Sequence, residues 1–212
     1  MKFELDHFFI LTDTGAPAAE QLISAGLVEG PPNTHPGQGT SNRRFFFSNA
    51  MLELLWVHDA AEAAAGPAFR CRFPERAGDP DASPFGLVFR RSDVEEHGMP
   101  FPGWKYEPVY LDSPLYFHVG DNSENILEPL CVYIPFARPP DTATDSGPFS
   151  RVSGVRITSP SEVHSEVLQQ AAEYEGLTIE HGTRHLMEVT FNAGRDNLSC
   201  DLTHNLPLVL YW

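Results

Sequence analysis

Two stretches, LDHFFIL at residues 5–11 and MLELLWV at residues 51–57, decide the fold. Both have the composition of a β-strand, and each carries one ionisable residue, His7 or Glu53, on a face whose other positions are apolar. An ionisable side chain is cheaper to leave in water than to bury without a partner, so such a position indicates a pocket. We therefore predict that His7 and Glu53 face the same concave sheet surface and line a site for a ligand or a metal ion.

The composition is that of a globular, strongly acidic protein. The 212 residues include 29 Asp and Glu against 14 Lys and Arg, which gives a formal net charge of −15. Phosphate binding needs a basic face, so we expect neither nucleic acid nor a membrane as partner. No apolar run is long enough to cross a bilayer, and the three cysteines are widely spaced, as in a reducing compartment. We expect a cytoplasmic protein that binds a small molecule. Whether it forms a homodimer is left open.

The order of predicted elements occurs twice along the chain. A strand–helix–strand–strand–strand unit is predicted at residues 1–58 and again at residues 148–212. The region between them, residues 59–147, is strand-rich and irregular, with one helical turn predicted at residues 93–97 and a linker at residues 137–147. Repeated units that each leave one sheet face bare usually pack as a pair, so we expect residues 1–58 and 148–212 to pack together.

This element order, with Leu-Asp-His on the first strand and Leu-Glu-Leu on the last, resembles the vicinal oxygen chelate superfamily. The stretch HPGQGTSNR at residues 35–43 resembles the branch called glyoxalase-like domain. The resemblance implies an α+β fold in which paired βαβββ modules form an open, cup-shaped mixed sheet, as one or two closely packed domains.

In metal-dependent members of this superfamily, each unit can give a ligand from its first strand and a glutamate from its last. The resemblance implies His7 and Glu53 as metal ligands in the first unit and places Asp201 at the glutamate position of the second. Gly154 stands where the remaining ligand would be, and His118 and Glu128 are alternative third ligands. One divalent ion (Zn, Ni, Mn or Fe) is one expectation, and a metal-free pocket is the other.

The stretch at residues 35–43 is also a candidate ligand-binding loop. His35, Thr40, Asn42 and Arg43 bring an imidazole, a hydroxyl, an amide and a guanidinium close together in sequence. A guanidinium binds a carboxylate or phosphate through two parallel hydrogen bonds, so Arg43 is expected at the cup rim, holding an anionic group. The alternative is a plain turn, since Gly37 and Gly39 allow positive φ.

Together these features predict an enzyme that acts on a small oxygenated, anionic metabolite as a lyase, isomerase or dioxygenase. An ion on His7 and the catalytic Glu53 would polarise a carbonyl or enolate. The competing prediction is a metal-free protein that binds or sequesters a small molecule, as the resistance members of the superfamily do. The third prediction is a protein that keeps the fold but has a blocked cup and no ligand.

Overall fold

The computed structural model describes residues 3–92, 98–138 and 147–212. The predicted helical turn at residues 93–97 and most of the predicted linker lie outside these residues. The described elements form two sheets and a few short helices. The helices are α1 (Ala19–Ser24), α2 (Ala60–Ala65), α3 (Phe73–Gly78) and α4 (Glu166–Ala171). None of these helices is long and apolar enough to cross a membrane.

The first sheet has eight strands. In chain order they are β1 (Phe3–Leu11), β2 (Asn33–His35), β3 (Thr40–Phe46), β4 (Met51–Val57), β5 (Phe85–Arg91), β6 (Gly103–Tyr106), β7 (Phe117–Gly120) and β8 (Leu130–Ile134). Their order across the sheet is β2-β3-β4-β1-β5-β8-β7-β6. The β1–β4 and β5–β8 pairs are parallel, and β1 meets β5 antiparallel at the centre. The sheet curls into an open half-barrel, which confirms the predicted α+β, glyoxalase/dioxygenase-like fold class.

The sheet that contains the first unit is completed by the middle of the chain and not by the C-terminal unit. Strands β1–β4 complete their sheet with strands from residues 85–134, whereas residues 152–211 form a sheet of their own. Residues 1–58 and 148–212 thus pack against each other through the faces of separate sheets, and not as the two halves of one cup. The C-terminal segment shows the local strand–helix pattern clearly, but which strands pair is decided by long-range packing that a local pattern does not report.

The second sheet has five strands, which are β9 (Val152–Ser159), β10 (Leu177–His181), β11 (Leu186–Phe191), β12 (Ser199–Asp201) and β13 (Leu208–Tyr211). Their order is β10-β9-β11-β13-β12. The sheet packs on the convex side of the first, where Phe8 and Ile10 share a core with Val155 and Val189. Asn49 joins the sheets, because its side chain donates to the carbonyl of Val152 at 2.9 Å and accepts from the same residue's N–H at 3.0 Å.

The alternation of β1 separates the two cores of the molecule. Phe8 and Ile10 belong to the core between the sheets, and Phe9 and Leu11 belong to a second cluster on the other face of the first sheet. That second cluster includes Leu55 and Val88 from neighbouring strands and forms the wall of the cup.

Candidate functional site

His7 and Glu53 line one cavity of about 190 Å³ on the concave face of the first sheet. In the parallel β1–β4 ladder, His7 pairs with Met51 and Phe9 pairs with Glu53, so both ionisable residues lie on the same face. Their predicted placement on one concave surface therefore agrees with the geometry.

A β-bulge fixes the orientation of His7. Leu5 pairs with Phe89 and His7 with Val88, which leaves Asp6 as the extra residue of β1. Neighbouring side chains on a regular strand point to opposite faces, but here Asp6 Oδ1 lies 2.7 Å from His7 Nδ1. Since Nδ1 is engaged by a carboxylate, Nε2 is the ring nitrogen left for a ligand.

Asp6 is itself held by a buried arginine. Arg90 is 3 % exposed and its Nη1 donates to Asp6 Oδ2 at 3.1 Å, while its Nη2 donates to the backbone carbonyl of Asn49 at 3.0 Å. Because Asn49 also clamps Val152 of β9, the second sheet supports the residues that orient His7.

Glu53 is almost fully buried, at 7 % exposure, and one of its oxygens is fixed. Asn42 Nδ2 donates to Glu53 Oε1 at 2.9 Å, and Asn42 Oδ1 accepts from the backbone N–H of Asn33 at 2.8 Å. Within the part of the chain that the structure describes, no group hydrogen-bonds to Glu53 Oε2. The carboxylate is thus held from one side and offers an acceptor oxygen on the other.

The loop before β3 closes the rim of the cup through one glutamine. Gln38 Nε2 donates to Thr40 Oγ1 at 2.8 Å, and Gln38 Oε1 accepts from the hydroxyls of Tyr106 and Tyr110 at 3.2 Å each. Thr40 Oγ1 also lies 3.0 Å from Nδ1 of His35. The loop therefore joins the rim at β2 and β3 to the opposite rim at β6.

The two cup histidines have pKa values shifted in opposite directions. Burial alone would lower the pKa of His7, but the carboxylates of Glu53 and Asp6 more than offset it and raise the pKa above its ordinary value. Burial lowers the pKa of His35. Opposite shifts of neighbouring titratable groups are typical of acid–base sites. Cys71 also lines the cup, but burial raises its pKa to about 12, so it contributes apolar surface and not a nucleophile.

Arg43 is not at the cup. Its Nε and Nη2 donate to the two carboxylate oxygens of Glu29 at 2.6 Å each, and Nη2 also lies 2.9 Å from Glu20. Asn42 and Arg43 are consecutive residues of β3, so when Asn42 points into the cup Arg43 points to the opposite face. The expectation that Arg43 holds an anionic ligand is therefore wrong, and the anionic character of the ligand loses its support. His35, Thr40 and Asn42 do lie at the cup, on its wall or bonded to residues that line it.

The ligand set expected for a metal ion is not assembled here. Asp201 is exposed on the edge strand of the second sheet and does not line the cup. His118 Nε2 bonds the carbonyl of Phe101 at 2.8 Å, and Glu128 accepts from the N–H and hydroxyl of Ser165. Across the described ranges, no three His, Cys, Asp or Glu side chains lie close enough to hold an ion. A catalytic ion needs about three protein ligands, so the residues as placed do not fit one.

The halves of the cup differ in chemistry. The β1–β4 wall presents His7 and Glu53, whereas the β5–β8 wall presents apolar side chains, including Val88 and Val132. A bound molecule would therefore place its polar atoms against β1 and β4 and its apolar body against β5 and β8.

A larger groove lies elsewhere, at the seam between the sheets. It measures about 990 Å³ and is lined by residues 79–82 and 183–185 among others. Its histidine, His185, already bonds the carbonyl of Asp81 through Nε2 at 3.1 Å. The smaller cup, where two histidines and a glutamate converge, is the better candidate site.

Sequence reasoning missed the residues that position the site. In the sequence, Gln38 is one position of the stretch at residues 35–43, and Tyr106 has no pattern that distinguishes it from the other aromatic residues. The available signal was a glutamine between Gly37 and Gly39, and the structure shows that this amide is buried and therefore has to find partners. The sequence gives no such signal for Arg90, because the alternation of side chains along β5 does not show that Arg90 bonds to Asp6.

Residues 5–102 match a family model described as a glyoxalase-like domain. The fold is similar to the crystal structure of a hypothetical protein from Staphylococcus aureus, with a TM-score of 0.53 and 12% identity over 99% of both chains. A hypothetical protein from Bacillus halodurans C-125 matches with a TM-score of 0.44 and 15% identity, over 67% of this chain and 100% of that one. No curated protein matches this chain. At such low identity the Staphylococcus likeness supports the fold alone.

Proposed function

We propose a function that starts from the premise that residues 5–102 belong to the glyoxalase-like domains of the vicinal oxygen chelate superfamily. The cup binds a small carbonyl compound with an apolar body and transfers a proton from the carbon next to the carbonyl. The observation that carries this proposal is the Glu53 carboxylate, which is buried, fixed at Oε1 by Asn42 and without a partner at Oε2 among the described residues. An immobilised carboxylate with one open oxygen is suited to be a general base.

His7 supplies the complementary group. Its Nδ1 is held by Asp6, and its raised pKa favours the imidazolium, which presents an Nε2–H donor to the cup. When Glu53 takes a proton from carbon, the C–H electron pair forms the carbon–carbon double bond of an enolate. The charge then develops on the carbonyl oxygen, where a donor such as His7 stabilises it. Return of the proton to the same or another atom gives an isomerase, and loss of a leaving group gives a lyase.

The apolar wall sets the shape of the ligand. A cavity of about 190 Å³ walled by Phe9, Phe73 and Val132 fits a molecule of about one aromatic ring. Acetophenone is a suitable probe, because it combines an apolar ring with a carbonyl and an exchangeable methyl group.

The test is exchange of the acetophenone methyl protons in deuterium oxide, followed by proton NMR. We expect the protein to accelerate exchange and Glu53→Gln to abolish the acceleration, since the amide keeps the bond from Asn42 but is no base. Asp201→Asn, at an exposed position of the other sheet, is the control and should exchange as the wild type does.

Binding of acetophenone without exchange would refute the enzymatic role and favour the second candidate, a protein that only binds or sequesters small molecules. The apolar β5–β8 wall is the observation that favours this candidate, because it adds burial but no reactive group. Since the described residues assemble no three ligands for the divalent ion that the resemblance implies, we expect the exchange rate not to depend on metal. The exchange assay should be run on protein dialysed against a chelator and on protein supplemented with Zn, Ni, Mn or Fe.

A further inference from the structure

Three side chains of the loop at residues 35–40 form a directed chain of hydrogen bonds. The hydroxyls of Tyr106 and Tyr110 both approach Gln38 Oε1 at 3.2 Å. A phenol donates readily to an amide oxygen, so these two contacts orient the amide with its nitrogen toward Thr40. Gln38 Nε2 then donates to Thr40 Oγ1 at 2.8 Å.

The chain determines which nitrogen of His35 carries a proton. Thr40 has one hydroxyl hydrogen, which has to be paired because the side chain is fully buried, and His35 Nδ1 at 3.0 Å is the acceptor that the described residues offer it. Nδ1 therefore accepts, and neutral His35 carries its proton on Nε2. Thr40 is fully buried and Gln38 is 7 % exposed, so water competes little for these bonds.

The other side of the His35 ring is available to a ligand. The ring lines the cup beside Tyr110, with ring centroids 5.6 Å apart, and no described residue hydrogen-bonds to its Nε2. His35 Nε2–H is thus a donor whose direction is fixed by the hydrogen bond at Nδ1 and which no described residue accepts from.

We infer that His35 is the ligand-recognition residue of the cup, presenting a neutral Nε2–H donor to an oxygen of the bound molecule, with Gln38 and Thr40 as positioning residues. The inference rests on the proposed function for the kind of ligand, an oxygen acceptor on an apolar body. Its consequence is selectivity: the cup prefers a carbonyl compound to the hydrocarbon of the same shape, because the hydrocarbon leaves a buried donor unpaired.

The tautomer is tested without any ligand, by imidazole nitrogen NMR of protein labelled with ¹⁵N-histidine. The His35 signals are assigned from their loss in His35→Gln. We expect a protonated-type Nε2 and an unprotonated Nδ1 in the wild type and in Thr40→Ser, which keeps the hydroxyl. In Thr40→Val, which keeps the shape but not the hydroxyl, both tautomers should appear. A wild-type His35 protonated on Nδ1 would overturn the inference.

Recognition is tested with two probes of the same shape, acetophenone and α-methylstyrene, in which a CH₂ group replaces the carbonyl oxygen. The quantity compared is the ratio of their dissociation constants, which cancels general losses of apolar packing. Two variants of similar size form the matched pair: His35→Gln keeps an amide donor near the position of Nε2, and His35→Met does not. One net hydrogen bond corresponds to about a fivefold preference for the ketone. Because His7 remains as a second donor, His35→Met should lower the preference about fivefold without abolishing it, and His35→Gln should largely keep it.

The outcomes separate the two proposals. If both probes bind and His35→Met leaves the ratio unchanged, the recognition role is wrong while the cup remains a binding site. If neither probe binds the wild type, the proposed function is wrong and the recognition role falls with it, whereas the tautomer is still decided by the NMR measurement. If acetophenone binds with the expected preference but its methyl protons do not exchange, recognition stands and the catalytic step is refuted.

Discussion

Replacing Asn42 by leucine tests the hydrogen bond that fixes Glu53. The side chain of Asn42 is fully buried, and leucine is close to it in size. The change removes the donor to Glu53 Oε1, which costs about 1.5–3 kcal/mol because the acceptor is a buried carboxylate. The change also removes the acceptor of the Asn33 N–H, which costs only about 1 kcal/mol because Asn33 is exposed. The greater apolar burial of leucine stabilises the fold by about the same amount and offsets this second cost. We expect Asn42→Leu to lower the free energy of unfolding by about 1.5–3 kcal/mol, and Tm by about 3–12 °C for a chain of this length.

The assay is urea unfolding of a double-mutant cycle made of Asn42→Leu, Glu53→Met and the double variant. The coupling energy should be about 1.5–3 kcal/mol, because most of the cost of Asn42→Leu disappears once Glu53 is apolar. Asn205→Leu, at an exposed position, is the control and should change stability by less than about 0.5 kcal/mol. A coupling energy near zero would refute the claim that Asn42 holds the carboxylate.

Three further outcomes are expected. Arg43→Met should lower the free energy of unfolding by about 1–2 kcal/mol, because the two parallel hydrogen bonds to Glu29 are lost, and it should leave the affinity for acetophenone unchanged. Weaker acetophenone binding at unchanged stability would show that Arg43 contacts the ligand in the cup. Elemental analysis after exposure to Zn, Ni, Mn and Fe should find less than about a tenth of an equivalent of each, since the described residues assemble no three ligands; a full equivalent that His7→Gln removes would contradict this. The pKa of His7 is raised because Glu53 and Asp6 outweigh burial, so its contribution to the free energy of unfolding is full below about pH 6.5 and is lost as the pH rises through the folded-state pKa. The pKa of His35 is lowered by burial, so its contribution to the free energy of unfolding is full above about pH 6.5 and is lost as the pH falls through the folded-state pKa. In urea unfolding from about pH 5 to 8, the stability gap to wild type should therefore narrow with rising pH for His7→Gln and widen for His35→Gln.

The sequence was sufficient for what depends on the alternation of a single strand. His7 and Glu53 stand in phase with apolar neighbours, and the parallel β1–β4 ladder puts them on one face. The same rule, applied to β3, separates Arg43 from Asn42, since adjacent strand residues point apart. Grouping these two by closeness in sequence was the error.

What depends on distant strands was not predictable in this way. The β5–β8 half of the cup lacks a helical pattern as clear as the one at residues 163–174, where apolar residues recur at helical spacing (Val163, Val167, Leu168, Ala171 and Tyr174), so its relation to the first half was hidden. The bulge at Asp6 was hidden as well, because it exists only relative to the partner strand β5. Tyr106 and Tyr110 join the site through Gln38, which lies 68 and 72 residues before them, and no local spacing reports such a contact.

The unequal walls of the cup fix which face of a bound ketone meets the base. A ketone with two different substituents has two enantiotopic faces, and a cup with its base on one wall exposes one of them to it. Here the imidazole and the carboxylate belong to β1 and β4, while β5 and β8 offer hydrocarbon only. One prochiral face would then meet Glu53 and the other would be covered by valine and isoleucine, so a proton would leave and return on the same side. One deuterium introduced by this protein at the methylene of an ethyl ketone such as propiophenone would accordingly appear as a single enantiomer.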